Sequence, residues 1–509
     1  MQAIFDQGPP PRAPELFNMA AYVLGQADAL GDKTALSIIG GPGDEDWTYQ
    51  QLKRAVLGVA GGFLAQGLTP GDRVLLRLGN NVDFPLAFLG AIAAGLIPVP
   101  TSSQLTSDEI TRMAAIVTPS LIVAGHGIAL PQGSGAQVVD SETLHGFASF
   151  PAADFAMGAP DRPAYVIFTS GTSGTPRAVS HAHRAIWARQ MMWKGWYGIH
   201  PDDRLLHAGA FNWTYTLGTG LMDPWSIGAT ALIPAADTPA SHLPALLNTH
   251  MATIFAAAPG VFRQILRQKF PPLPALRHAL SAGEKLPATT RANWEKAAHC
   301  PVHEAYGMSE CSTFISGAPA HPAPDGTLGY PQPGRRVGVI GPDGPVGYNT
   351  PGTLAVSNRD PGLMLGYYGA PEETARRFQG EWFLTGDTVS MAQDGAITYL
   401  GRADDMMNAG GYRVSPIEVE SAMATHPAIH EAAAVEVPVK ADASVIACFY
   451  VCEPGASVDD DALGRHAHAH LAHYKCPRLF IALPTLPRGA NNKLLRRSLR
   501  ARYEAGAFT

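Results

Sequence analysis

Charge is what this sequence has least of. Only 16% of its residues are Asp, Glu, Lys or Arg, against about 25% in an ordinary soluble domain. The formal charge of −6 argues against a nucleic-acid partner, which usually demands a basic face. Cysteine is scarce too. Cys300, Cys311, Cys448, Cys452 and Cys476 form no CxxC pair and are odd in number, so neither a zinc ribbon nor a disulfide framework is indicated, and a cytoplasmic setting fits. The N-terminal stretch MQAIFDQGPPPRAPELF lacks the basic segment and apolar core of a signal peptide. No clean apolar run reaches the ~20 residues that span a bilayer. The best candidate, Phe84 to Pro100, is broken by Gly90, Gly95 and three prolines. It reads as a buried helix followed by a buried strand at Ile97–Val99. A soluble protein with no membrane span and no nucleic-acid partner is expected, with oligomeric assembly left open.

What the sequence does have is apolar residues (46%), 53 glycines and 43 prolines in 509 residues. At roughly 100–200 residues per domain this is material for two to four folding units. From about residue 45 to 340, short strand-like runs alternate with helical stretches. Arg73–Leu78, Ser120–Val123, Ala164–Phe168, Thr253–Ala256, Arg277–Ser281 and Val302–Ala305 read as strands, and Val82–Ala94 as a helix. A further helical stretch is expected from about His183 to Trp193, after a Gly/Ser/Thr loop. Such alternation predicts parallel sheets covered by helices, with ligands beyond the carboxyl ends of the strands. After about residue 327 the texture changes. Thr353–Val356, Trp382–Thr385, Thr388–Met391 and Ile397–Leu400 read as short antiparallel strands. The last hundred residues return to a mixed pattern. The simplest division places one domain at 1–402 and a second at 403–509.

The most informative stretch is Tyr165-Val-Ile-Phe-Thr-Ser-Gly-Thr-Ser-Gly-Thr-Pro-Arg177. Its loop holds Thr169, Ser170, Thr172, Ser173 and Thr175 with Gly171 and Gly174. Glycines let backbone N–H groups turn toward an anion, and hydroxyls add donors, so the loop suits a polyphosphate. No GxxxxGK[ST] spacing passes through it, and Ser173 is not in GxSxG, which excludes a Walker loop and a hydrolase elbow.

With its companions, this loop resembles the adenylate-forming superfamily of acyl-CoA synthetases, luciferases and peptide-synthetase adenylation domains. The companions are Ser281-Ala-Gly-Glu284, Ala305-Tyr-Gly-Met-Ser-Glu310, Trp382-Phe-Leu-Thr-Gly-Asp387 and Gly401-Arg-Ala-Asp-Asp405. They continue with Gly410-Gly-Tyr-Arg413, Tyr474-Lys-Cys-Pro477 and Asn492-Lys493, all in family order. The details look most like benzoate-type and medium-chain acyl-CoA ligases. Two departures stand out: Arg177-Ala178 replaces the usual Lys-Gly, and Asn492 the glycine before the lysine. The resemblance implies an α/β fold: a large N-terminal domain of two helix-covered βα sheets plus a small β-barrel, then a small mobile α+β C-terminal domain.

It also implies roles. The hydroxyl-rich loop with Arg177, Gly283, Glu284, Tyr306 and Gly307 would hold ATP and AMP, Tyr306 by stacking on adenine. Ser309 would contact the α-phosphate and Glu310 would hold Mg²⁺, which prefers carboxylate and phosphate oxygens. Asp387 would bind the ribose hydroxyls and Arg402 the ribose or a phosphate, Arg413 would brace the nucleotide, and Asp404 would be the hinge. Lys493 would be the catalytic lysine, with Arg496 and Arg497 as neighbouring cations that could compete for the assignment. Gly410 and Gly411 would line a tunnel for CoA. Trp213, Tyr215 and Met308 would line the acid site; for the two aromatics, ordinary core packing stays open, as does a strand or a helix start for their segment. The implied reaction is ATP-dependent adenylation of an aromatic, cyclic or short- to medium-chain acid, then thioester formation with CoA. A carrier-protein thiol as acceptor and a non-catalytic acyl- or nucleotide-binding protein are the alternatives. No fixed cation for a second carboxylate is evident. His466, His470 and His473 have a spacing that could bind metal from one helix face, but no carboxylate or cysteine partner is placed by the sequence. His181 and His183 follow the phosphate loop, and the start of a helix accounts for them better than a metal.

Overall fold

The computed structural model describes the chain except at residues 42, 170–175, 237, 404, 410–411, 441–442, 490–493 and 509, and gives the backbone alone at 408, 409, 412, 413, 440 and 443. The fold is α/β, a large multi-sheet N-terminal domain and a small α+β C-terminal one. Contacts divide the described chain into two compact bodies. The larger holds Phe5–Val337 and Val356–Phe383, the smaller Met1–Ile4, Gly338–Ala355 and Leu384–Thr509.

Two parallel sheets dominate the larger body. In the first, Ile97–Pro100, Arg73–Arg77, Leu121–Ala124 and Gln137–Asp140 lie side by side, all parallel. In the second, Val302–Met308, His278–Ala282, Ile254–Ala257, Arg204–His207, Thr230–Pro234 and Thr34–Ile39 run parallel in that order. Antiparallel strands finish its two edges, Ser312–Ser316 with Tyr330–Pro331 on one side and Glu45–Thr48 on the other. Strands buried on both faces, such as Ile254–Ala257 and Leu121–Ala124, read as unbroken apolar runs. The Phe84–Pro100 run is a helix, Asp83–Ala93, buried along its whole length, followed by the buried strand Ile97–Pro100. A helix apolar all round belongs in a core, and no described helix is long and apolar enough to cross a membrane.

The hydroxyl-rich loop departs from expectation. It does not lead from a strand into a helix. Pro163–Thr169 returns antiparallel as Arg177–Ala182, paired up to Thr169 opposite Arg177, and Gly366–Tyr367 adds a third strand. A return strand, Arg177–Ala182, thus intervenes before the helix, which begins at Arg184, close to the expected His183. Similarly, the two short strands expected at 382–391 are one continuous strand, Trp382–Met391.

The C-terminal part of the smaller body is a three-stranded sheet. Ile429–Lys440 pairs antiparallel with Ala443–Cys452, which runs parallel to Leu479–Ala482. Alternate residues point to opposite faces of a strand, and both faces are used. Ala434, Ile446 and Cys448 pack with Val419, Met423 and Leu463, while Val435, Ala447 and Phe449 pack with Leu486 and Leu499.

Candidate active site

In the larger body the site residues gather at the carboxyl end of the second sheet. The strand Val302–Met308 carries Tyr306, Gly307 and Met308 and turns at Ser309 and Glu310 into Ser312–Ser316. The register slips between Tyr306 and Gly307, a bulge that re-aims the side chains beyond it. Glycine is required at 307, because a Cβ there would lie 2.3 Å from the Ser312 carbonyl oxygen. Ser312 itself takes a left-handed φ of 63°. The turn is held from three directions. The Met364 N–H donates to the Glu310 carbonyl at 2.7 Å. The Nε2–H of His181 donates to the Ser309 carbonyl at 2.7 Å, and Arg189 donates to the Ser312 hydroxyl.

His181 is 2% exposed, and burial pushes its imidazole down to about 4. It is neutral at physiological pH, with its one proton spent on Ser309. His181 stands not at the start of a helix, as the sequence suggests, but in the strand Arg177–Ala182 opposite Tyr165. His183, also buried, accepts from the Met19 N–H through Nδ1 at 3.0 Å.

The Glu310 carboxylate accepts a hydrogen bond from the Tyr367 hydroxyl at 2.7 Å. Arg177 lies against the same tyrosine, its guanidinium carbon 5.5 Å from the ring centroid, and pairs with Glu373 at 2.5 Å. Tyr367 carried no sequence signal. Glu284 meets Arg263 at 3.5 Å, and Tyr306 packs edge-on against Phe314.

The aromatic segment settles as a helix start. Tyr215 precedes the π-turn Thr216–Met222 and is a core residue by its contacts. Its hydroxyl donates to the Leu280 carbonyl at 3.1 Å, and its ring packs on Trp196 and His207. Trp213 is half-buried and lies against Gly283, where a Cβ would come within 2.7 Å of the indole. Gly283 has φ +99°, so both its space and its backbone demand glycine. Arg189 is a buried cation nearby, yet Asp223 neutralises it at 2.6 Å; it is no spare charge for a second carboxylate.

In the smaller body, Asp387 sits mid-strand opposite Arg402. Its Oδ1 accepts from the Tyr399 hydroxyl at 3.2 Å and pairs with Arg402 at 3.2 Å. Arg496 is committed elsewhere: its guanidinium binds both Glu420 oxygens at 2.7 and 2.6 Å, with Asp405 at 3.7 Å. Ser170, Gly171, Thr172, Ser173, Gly174, Thr175, Asp404, Gly410, Gly411 and Lys493 lie outside the described residues, as does the Arg413 side chain. The histidine-rich helix ends at His470, so His473 is off it. Among the described residues no group of three or more metal-ligating side chains occurs.

The model of the AMP-binding enzyme family matches residues 24–368, and that of the AMP-binding enzyme C-terminal domain matches 418–493. The chain belongs to the AMP-binding enzyme family. Its membership is that of the AMP-forming acid–thiol ligases. This AMP-binding enzyme is 30% identical to the benzoate–CoA ligase of Thauera aromatica over 96% of its own length and 97% of the relative's. It is 29% identical to the mitochondrial acyl-coenzyme A synthetase ACSM5 of Mus musculus, over 96% and 91%. The crystal structure of a benzoate CoA ligase from Burkholderia xenovorans LB400 superposes with a TM-score of 0.85 at 28% identity, covering 95% of this chain and 100% of that one.

Proposed function

We propose that this AMP-binding enzyme is an ATP-dependent acyl-CoA ligase for a compact aromatic, cyclic or short- to medium-chain acid. The observation that carries the reading is the Ser309–Glu310 turn. It presents a carboxylate with one oxygen fixed by Tyr367 beside a backbone held at three points, in a chain that matches acid–CoA ligases along nearly its full length. The acid's carboxylate attacks the α-phosphorus of ATP and pyrophosphate leaves. The acyl-AMP then yields its acyl group to the CoA thiol, with AMP as the leaving group.

Glu310 is the residue that would hold Mg²⁺. A single carboxylate fits that ion, which takes most of its remaining ligands from phosphates and water. When bound, the ion offsets negative charge on the phosphates. Ser309 and the hydroxyl-rich hairpin tip supply further donors to the phosphates, with Tyr306, Gly283 and Glu284 beside the adenine. Asp387, oriented by Tyr399 and Arg402, accepts from the ribose hydroxyls. Lys493 acts in adenylation, and the Gly410-Gly411 backbone serves the pantetheine arm. A domain division at Arg402, with Asp404 as hinge, belongs to the same proposal. The half-buried indole of Trp213 against a side-chain-free Gly283 favours a flat or short acyl group.

The test is pyrophosphate release with ATP and Mg²⁺ against a panel of aromatic, cyclic, short-chain and medium-chain acids, with and without CoA. Acid-dependent release that turns over only with CoA supports the ligase and names its substrate class. Release indifferent to CoA points to a carrier-protein acceptor, and no release with any acid overturns the catalytic reading. Lys493→Ala is expected to slow adenylation about 100-fold while leaving thioester formation from supplied acyl-AMP unchanged. Equal loss in both steps would remove the lysine from its assigned role.

A further inference from the structure

The structure assigns Tyr367 as the positioning residue that selects which oxygen of Glu310 meets a divalent cation. The assignment rests on the reading above of Glu310 as the cation's carboxylate. The Tyr367 hydroxyl donates to Oε1 at 2.7 Å, which leaves Oε2 for the metal. A carboxylate held by one oxygen in this way is fixed in rotation and keeps the lone pairs of its other oxygen for a cation.

The tyrosine is itself fixed. It is 4% exposed, and its backbone pairs with Val179 in the hairpin that carries the phosphate loop. Its N–H donates to the Thr374 hydroxyl at 2.9 Å. Arg177 closes over the ring at 5.5 Å, anchored by Glu373.

This arrangement also accounts for the departure at position 177. A guanidinium offers a flat face to an aromatic ring and an N–H edge to a carboxylate at the same time, whereas a lysine ammonium is a point charge on a flexible stem. Arg177 thus links the base of the phosphate hairpin to the tyrosine that orients Glu310.

The experiment titrates ATP onto the full-length protein without acid or CoA, once with Mg²⁺ and once with EDTA, by calorimetry. Tyr367→Phe keeps the ring under Arg177 and removes only the hydroxyl. It is expected to weaken Mg·ATP binding about tenfold, the size of a hydrogen bond to a charged group, and to leave metal-free ATP binding within about twofold. Glu310→Gln should show the same metal-specific loss, and adding Tyr367→Phe to it should cost nothing further. Equal weakening of both ATP forms by Tyr367→Phe would mean a merely structural tyrosine and overturn the assignment, as would no change in either. Wild-type protein that binds neither form would instead overturn the nucleotide reading itself.

Discussion

The larger body and the C-terminal part of the smaller one differ in their buried imidazoles. In the larger body, buried histidines are held neutral alongside buried ion pairs such as Arg189–Asp223 and Arg335–Asp360. Burial pushes His181, His278 and His303 down to about 4 and His183 and His207 to about 3. In the C-terminal part of the smaller body, charges are kept and paired: Arg496 with Glu420, Arg488 with Glu431, Lys475 with Glu418. The difference bears on the proposed chemistry. A neutral His181 and an Arg189 already offset by Asp223 beside the Ser309–Glu310 turn leave the local field to Glu310 and to the ligand, where low dielectric makes each charge count more. A domain built on ion pairs gains less from each of them, because exposed pairs are screened.

Acid is the strongest way to break the comparison. The five histidines have folded pKa values below their ordinary value near 6.5. Between pH 6.5 and about 4 the unfolded chain therefore binds more protons than the folded one, and stability falls as pH falls. Each histidine contributes a slope of about 1.4 kcal/mol per pH unit in that window. Glu304, raised by burial to about 7, works in the opposite sense, one group against five. Hydrogen exchange at pH 7 and pH 5 should show peptides of the larger body losing protection first. Earlier loss in peptides from 416–482 would reverse the comparison.

The next effect is in the smaller body. Arg496→Met strands Glu420, which lies on the helix Pro416–Met423, is largely buried and also accepts from the Ala434 N–H at 2.9 Å. A loss of ~2 kcal/mol is expected, read as faster exchange confined to Pro416–Met423 and Ile429–Lys440. A drop in stability spread over the larger body would contradict it.

The smallest effect sharpens the role of Asp387. Tyr399→Phe removes one support of that carboxylate and leaves Arg402. It should raise the KM for ATP about fivefold, near 1 kcal/mol, with a smaller effect on a deoxyribose analogue of ATP. An equal rise for both nucleotides would detach Tyr399 from ribose recognition.

Much of the parallel framework was legible because its strands are short apolar runs between turn signals, as at Arg73–Arg77 and Ile254–Ala257. The phosphate hairpin was misread for a physical reason. Its return strand, Arg177–Ala182, contains Ser180 and His181, and these become strand residues only through pairing with Tyr165 and Val166. The motif residues were visible in the sequence, but their supports were not. Tyr367 lies 57 positions from Glu310, and His181 lies 128 from Ser309; such partners are chosen by topology and leave no local pattern. Arg496 likewise carries no local pattern that marks it as the partner of Glu420, 76 positions away.

The contact between Trp213 and Gly283 sets an order on how the protein can be changed. Position 283 has neither room nor backbone freedom for a side chain while the indole stands over it. A mutant library there would yield mostly misfolded proteins, whatever acid it was screened against. Position 213 carries no such double restraint, so smaller residues there would open the wall in graded steps. Adaptation to bulkier acids, in the laboratory or in a lineage, would have to begin at the tryptophan, and the glycine would be inherited unchanged.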